Sequence, residues 1–293
     1  MDKKTVTYYS EGHVIVADLY TPDGFDETKR YPALIQCQGF SGIRDMMMED
    51  FARFFTGAGF VCLAPDYRGW GDSGGERGRL APLEQVDDIR NGLTYLQAQP
   101  FVDGERLCAF GASFGGLIAP YVAAVDTRVK ATVGMVGVAD GLEAITNDRT
   151  REEVADIVEK IAEARQTRVL SNHVERDWRV IDIFRDEQSA AWLPMGWEMV
   201  PKWRTKFSYE SLGRVADFRP IDMVHKIAPR ALGLIIATQD TCADPDSYRA
   251  LHAAAGEPKQ LWEYDCGHYD MYAGEPMETA INAAIAFLKE HVG

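Results

Sequence analysis

No stretch of this sequence approaches the roughly 20 consecutive apolar residues that a membrane-spanning helix requires, so no membrane partner is expected. Basic residues are scarce: 31 Lys and Arg stand against 45 Asp and Glu, a net charge of -14. A surface of that sign repels phosphate backbones and anionic lipid, which argues against nucleic-acid and membrane-surface binding. Cysteines are few and odd in number, five, and none shows C-x-x-C spacing. That argues against a structural zinc site and points to a reducing, cytoplasmic setting. The opening MDKKTVTYYSEGHV carries lysines but no apolar run, so no signal peptide is expected. Internal repeats and low-complexity tracts are missing as well.

What remains is an ordinary globular composition spread over 293 residues, enough for one large α/β domain with an insertion or for two domains. Val6–Tyr9 and Val14–Tyr20, separated by Glu11-Gly12, read as an antiparallel hairpin. Apolar runs at Tyr31–Gln38, Phe60–Pro65, Leu107–Phe110, Lys130–Val138, Ala231–Ala237 and Gln260–Tyr264 read as buried strands. Between and after them lie amphipathic stretches. Phe51, Phe54 and Phe55 share one face over 49–56; Val86, Ile89, Leu93 and Leu96 share another over 83–99. Helical patterns also cover 246–255 and the C-terminal segment through Ile281, Ile285, Leu288 and Val292. The alternation predicts an α/β fold, a mostly parallel sheet with helices on both faces. Cys37, Cys62 and Cys108 fall within strands and read as small core residues; Cys242 and Cys266 have no feature that activates a thiol.

From Asp140 to Phe218 the pattern changes. Thr150 to Glu153 is a capping-box signature, and Val154, Ile157, Val158 and Ile161 stripe the helix behind it. Trp178, Trp192, Trp197 and Trp203 follow with Met195 and Met199, and no strand pattern is evident. Residues 140–218 therefore read as a helical cap insertion in a core made of 1–139 and 219–293. Its tryptophans either pack the insertion onto the sheet or roof an apolar pocket; Trp192, Trp197 and Trp203 are the candidate substrate-binding residues.

Strand Leu107–Phe110 runs into Gly111-Ala112-Ser113-Phe114-Gly115 and then a helix, with no spare loop. A serine there must adopt strained backbone, which persists mainly at functional sites. Its hydroxyl would stand exposed above the sheet edge, with the Phe114 amide at a helix N-terminus suited to an oxyanion. Pro120 lies early in that helix and should kink it near Gly116. A serine needs a base. Of the histidines, His13, His225, His252 and His291 have simple structural or surface readings, and His173 lies in the insertion. His268 follows a strand directly, at the carboxyl edge where Ser113 also emerges. Asp240 ends the preceding strand at the same edge and is the expected acid. Asp244 and Asp246 are nearby competitors, but Asp244-Pro245 reads as a helix cap, and Asp270 is too near His268 in sequence.

The order Ser113, Asp240, His268 and the segments around it resemble the α/β-hydrolase superfamily, most closely its dienelactone-hydrolase-like and X-prolyl-peptidase-like acyl hydrolases. The likeness is carried by GASFGG, APDYRGWGDSGG, QGFSG, ATQD and CGHYDMY, and spans nearly the whole chain outside the insertion. Two positions depart from it: Gln38 where many relatives have histidine, and Ala237 where many have glycine. Asp66 and Arg68 are expected to form a structural pair or brace their loop. The resemblance implies an α/β-hydrolase fold and an oxyanion hole made by the Phe40 and Phe114 amides. It also implies a serine esterase acting on a small-molecule ester, with no metal or organic cofactor. Amide or peptide hydrolysis, a non-hydrolytic cyclase and a ligand binder on the same fold remain alternatives, and homo-oligomerisation is left open.

Overall fold

The computed structural model describes residues 1–176, 178–203 and 206–293. The hairpin β1 (Asp2–Ser10) and β2 (His13–Thr21) is followed by β3 (Tyr31–Cys37), α1 (Met48–Gly57), β4 (Val61–Pro65) and α2 (Pro82–Gln97). Then come β5 (Val102–Ala112), α3 (Gly115–Val125) and β6 (Val129–Met135). Residues 140–218 hold α4 (Gly141–Thr146), α5 (Arg151–Ser171), β7 (Trp178–Arg179), α6 (Val180–Ile183), α7 (Glu187–Met199), β8 (Lys206–Phe207) and α8 (Tyr209–Ala216). The chain ends with β9 (Ala231–Ala237), α9 (Pro245–Ala254), β10 (Lys259–Tyr264) and α10 (Gly274–Val292).

Eight strands form one sheet in the order β1-β2-β4-β3-β5-β6-β9-β10. From β4 to β10 the pairings are parallel, while β2 meets β4 antiparallel. The period-2 alternation of strand side chains builds two apolar layers. On β5, Leu107 and Ala109 face the layer containing α2, α3 and α9, while Cys108, Phe110 and Ala112 face the layer containing α1 and α10. Of the three phenylalanines expected on one face of α1, Phe51 and Phe55 are fully buried and Phe54 is half-buried.

Among its described residues, the 140–218 segment adds no strand to this sheet. Contrary to expectation it does contain strand, the antiparallel pair β7–β8, two residues on each side and too short to leave a periodic trace. The Thr150 capping box forms: the Thr150 side chain accepts from the Glu153 amide, and Glu153 accepts from the Thr150 amide at 2.8 Å. The apolar stripe on α5 is narrower than the sequence suggests, with Ile157 and Ile161 buried and Val158 exposed.

Helix α3 runs unbroken through Pro120. Proline removes the donor that would serve the carbonyl four residues earlier, that of Gly116. The Tyr248 hydroxyl, from α9, supplies it instead at 2.9 Å. Tyr248 is fully buried and reaches this point because Gly134 and Gly137 carry no side chains: a Cβ on Gly134 would lie 2.0 Å from its hydroxyl. Tyr248→Phe should therefore destabilise the fold by about 1–3 kcal/mol, the cost of an unpaired buried acceptor. In a Pro120→Ala background, where the helix regains its own donor, the same substitution should cost clearly less. Denaturant titration of the four proteins checks both expectations.

Candidate active site

Four loops at the carboxyl ends of parallel strands meet above the middle of the sheet. They follow β3, β5, β9 and β10, and they carry Phe40, Ser113, Asp240 and His268 respectively. The turn after β5 is the tightest. A Cβ on Gly111 would lie 2.0 Å from the Gly115 carbonyl oxygen, and one on Gly115 would lie 2.1 Å from that of Cys37. Between these glycines Ser113 sits at φ +56, in the left-handed region, with its amide bonded to the Met135 carbonyl at 2.9 Å. Left-handed backbone at a non-glycine residue costs on the order of 1–3 kcal/mol. The packing of β5, α3 and β3 offsets it.

Ser113 Oγ lies 3.1 Å from His268 Nε2, and His268 Nδ1 lies 2.7 Å from Asp240 Oδ2. An ionised carboxylate only accepts, so Nδ1 carries the proton and Nε2 is the acceptor facing the serine. The other oxygen, Asp240 Oδ1, accepts from the Cys242 and Ala243 amides, each at 2.8 Å. Asp244 is engaged elsewhere, accepting from the Asp246 amide at the start of α9, and Asp270 accepts from the Gly267 amide. Of the four aspartates weighed from the sequence, Asp240 is the one that meets the imidazole. The two loops are also tied by backbone bonds, Thr238 to Tyr264 at 2.8 Å and Gln239 to Cys266 at 2.9 Å.

The turn after β3 is braced from below and from above. Below, Arg44 donates through its amide to Asp66 at 2.7 Å and through its guanidinium to Asp66, and to Asp72 at 2.6 Å. Burial pushes the Asp66 carboxyl up, against the pull of Arg44 and two backbone amides. Arg68, expected as the partner or companion of Asp66, instead forks onto Asp88 at 2.9 and 2.7 Å. The two residues brace their loop in separate pairs. Above, the Trp203 indole N–H donates to the Ser41 carbonyl at 2.9 Å. Gln38 donates to the Pro65 carbonyl at 3.1 Å, holding the position where histidine was the more familiar residue. The Phe40 ring packs edge-on against Phe114, Phe184 and Phe207 at 5.1–5.4 Å. Neither the Phe40 nor the Phe114 amide donates to any described residue.

A cleft with about 610 Å³ of unfilled space, partly open to solvent, lies over Ser113 and His268. Trp192 and Trp203 line it; Trp197 does not, packing against Trp203 at 6.1 Å instead. The sequence reading missed Met46–Met48, Phe184, Tyr269 and Tyr272 on its wall. Three consecutive methionines ahead of an amphipathic helix were the available signal for the first group, since methionine suits adaptable apolar surfaces. A smaller apolar chamber opens on the far side of Ser113, bounded by Leu117, Val138 and Ala144, with Phe184 and Cys242 bordering both spaces. Burial pushes the Cys242 thiol up, and burial does the same to the Tyr269 and Tyr272 phenols; Cys266 rises to about 11. Burial thus keeps all four in their neutral forms at neutral pH. Among the described residues no group of three or more His, Cys, Asp or Glu side chains is placed to hold a metal ion, and no helix is long and apolar enough to cross a membrane.

The family model described as "Serine aminopeptidase, S33" (Hydrolase_4) matches residues 33–274. An uncharacterized 31.7 kDa protein of Escherichia coli is 31% identical over 268 residues, covering 90% of this chain and 92% of that protein. A polyketide transferase of Aspergillus fumigatus, af380, is 28% identical over 282 residues, covering 90% and 91%. Among solved structures, the α/β hydrolase GrgF from Penicillium shares the fold with a TM-score of 0.84 at 23% identity, covering 100% of this chain and 99% of that one.

Arg44 is the charge on which the β3 turn depends. Replacing it with alanine leaves Asp66 fully buried without its cation, and unpartnered buried charges cost about 3–5 kcal/mol. Arg44→Ala should lose stability of that order in a urea titration, whereas Arg53→Ala, on the exposed face of α1, should change little.

Proposed function

The chain belongs to the Hydrolase_4 family of α/β hydrolases, and on that premise we propose that it is a serine hydrolase cleaving a carboxylic ester of a small molecule through an acyl-enzyme. The observation that carries this reading is the continuous hydrogen-bonded line from Ser113 Oγ through His268 to Asp240 at the floor of an apolar cleft. Ser113 Oγ attacks the ester carbonyl carbon while His268 Nε2 takes its proton. Asp240 holds the imidazolium through Nδ1. The carbonyl oxygen gains charge as the tetrahedral intermediate forms, and the Phe40 and Phe114 amides receive it. Collapse breaks the bond to the alcohol, which leaves with the proton from Nε2. Water then attacks the acyl-serine, again with His268 as base, releasing the acid and restoring the serine.

The cleft supports an uncharged substrate. No Asp or Glu lines it among the described residues, so a free α-ammonium, which an aminopeptidase substrate carries, would find no anionic partner there. In this reading residues 140–218 cap the site: Phe184, Trp192 and Trp203 come from that segment and face the reacting serine. A second reading, acyl transfer to an acceptor hydroxyl instead of water, is favoured by the resemblance to a polyketide transferase. It uses the same acyl-serine and differs only in what resolves it. Product analysis in heavy-oxygen water separates the two, since hydrolysis places the label in the acid and transfer does not.

Ser113→Ala should lower turnover of a chromogenic ester by several orders of magnitude with an unchanged circular dichroism spectrum, and His268→Ala should match it. The double variant should be little worse than either, because the pair acts as a unit; additive losses would remove His268 from the base role. Asp240→Asn should be severe, and Asp244→Asn should mainly cost stability.

Trimming the cleft wall should change the preference among substrates. One methylene in an apolar pocket is worth about 1–3 kcal/mol. Trp192→Ala and Trp203→Ala should therefore shift relative kcat/KM across an ester chain-length series by roughly 10–200-fold. Trp197→Ala, outside the lining, should lower Tm and leave the ranking of substrates as it was. Unchanged rankings in all three would make the tryptophans packing residues alone.

A further inference from the structure

The first turn of α7 lies across both loops that carry the acid and the base. Gln188 spans them. Its Oε1 accepts from the His268 amide at 2.9 Å, and its Nε2 donates to the Gln239 carbonyl at 2.7 Å. The partners settle which end is which, because an amide N–H and a carbonyl can be satisfied one way round only. A longer contact runs from the Thr241 amide to the same Oε1 at 3.4 Å. Its neighbours in the turn dock on the same loops. Asp186, which caps α7, accepts from the Thr241 hydroxyl at 3.0 Å, and the Ser189 and Tyr269 hydroxyls are 2.9 Å apart. The Gln188 amide also fills the space beside the residue before the histidine: a Cβ on Gly267 would lie 2.6 Å from Gln188 Nε2 and would have to displace it.

We propose that Gln188 is a positioning residue for the hydrolase reaction, setting the separation of the His268 and Asp240 loops and hence the aim of the imidazole at Ser113. The proposal rests on the roles assigned to those three residues above. The backbone bonds that also tie the loops run from the Thr238 and Gln239 amides to the Tyr264 and Cys266 carbonyls and stop short of His268. Gln188 grips His268 itself and the residue before Asp240, nearest the reacting side chains. Trp192, four residues along the same helix and thus one turn away, lines the cleft and stacks on Tyr269 at 4.7 Å. The helix that borders the substrate space is therefore the helix that holds the acid–base pair in register.

The test uses the full chain and a chromogenic ester, with active-site titration to count folded enzyme. Gln188→Ala should lower kcat per titrated site by on the order of 10²-fold, the cost of a displacement near 1 Å at a reacting group, with KM little changed. The rate of fluorophosphonate labelling at Ser113 should fall in parallel, and the low-field proton resonance of His268 Nδ1–H should shift or broaden. Gly267→Ala, which leaves Gln188 in the sequence but occupies its space, should reproduce the kcat loss. The double variant should be no worse than Gln188→Ala, because the shortened side chain at position 188 leaves room for the new methyl group. Wild-type kcat and labelling rate in Gln188→Ala, or additive losses in the double variant, would overturn the positioning role while leaving the triad assignment intact. Persistent labelling of Ser113→Ala would overturn the triad assignment, and the positioning role with it.

Discussion

Everything functional in this protein hangs on a backbone contact in which no side chain fits. Gly111 and Gly115 bring β5, α3 and the end of β3 so close that a single Cβ at either glycine would fall about 2 Å from a carbonyl oxygen. The strand must turn into the helix between them within three residues, and the middle one, Ser113, is driven to φ +56. The strain is tolerated because a large buried sheet holds both flanks in place. Its effect is to lift Ser113 clear of its own chain, toward His268 and beneath the apolar walls of the cleft, at the N-terminus of α3. Relaxing the contact would lower the serine back onto the sheet.

A second pattern runs through the loops above that contact. Each is held by polar groups from a distant part of the chain: the β3 turn by Arg44 on Asp66 and by Trp203 on Ser41, the β9 and β10 loops by Gln188. Directional bonds suit this task better than apolar packing, since hydrogen bonds fix a position and hydrophobic contact fixes mainly an area. The walls are built the other way. Aromatic rings at 4.7–5.4 Å and methionines surround the serine, and among the described residues no Asp, Glu, Lys or Arg lines the cleft, so a ligand meets an apolar surface over a rigid polar frame.

How far the sequence reveals this depends on range. Strands, helices and the turn at Ser113 are local: apolar runs, helical periodicity and G-x-S-x-G place them within a few residues. Ser113, Asp240 and His268 are legible together because a parallel sheet brings all its carboxyl ends to one edge, so chain order and strand ends suffice. What escapes is set by distant partners. Asp66 and Arg68 are close in sequence, yet each pairs with a residue about 20 positions away, which no local spacing encodes. Trp197 cannot be told from Trp192 and Trp203, since which tryptophan faces the cleft depends on how α7 is rotated against the loops. Gln188 on a helix surface reads as a solvated polar residue until the loops beneath it are known.

The position of β10 explains why His268, more than Ser113, is held from outside the sheet. Ser113 leaves β5, which has paired strands on both sides, and its turn is buttressed by β3 and β6 alike. His268 leaves β10, the last strand of the sheet, which among the described residues is paired on one side only. An edge strand leaves its outer N–H and C=O groups without a neighbouring strand, and β10 is only partly buried along its length. An imidazole aimed from such a loop would wander unless something closed its open side. The bonds across to β9 fix the inner side. On the other, α7 is laid against it by a glutamine bonded to the His268 amide, by a serine hydroxyl beside Tyr269, and by Trp192 stacked on that tyrosine. The segment that gives the cleft its apolar wall thus also completes the frame for the weakest-held member of the hydrogen-bonded line.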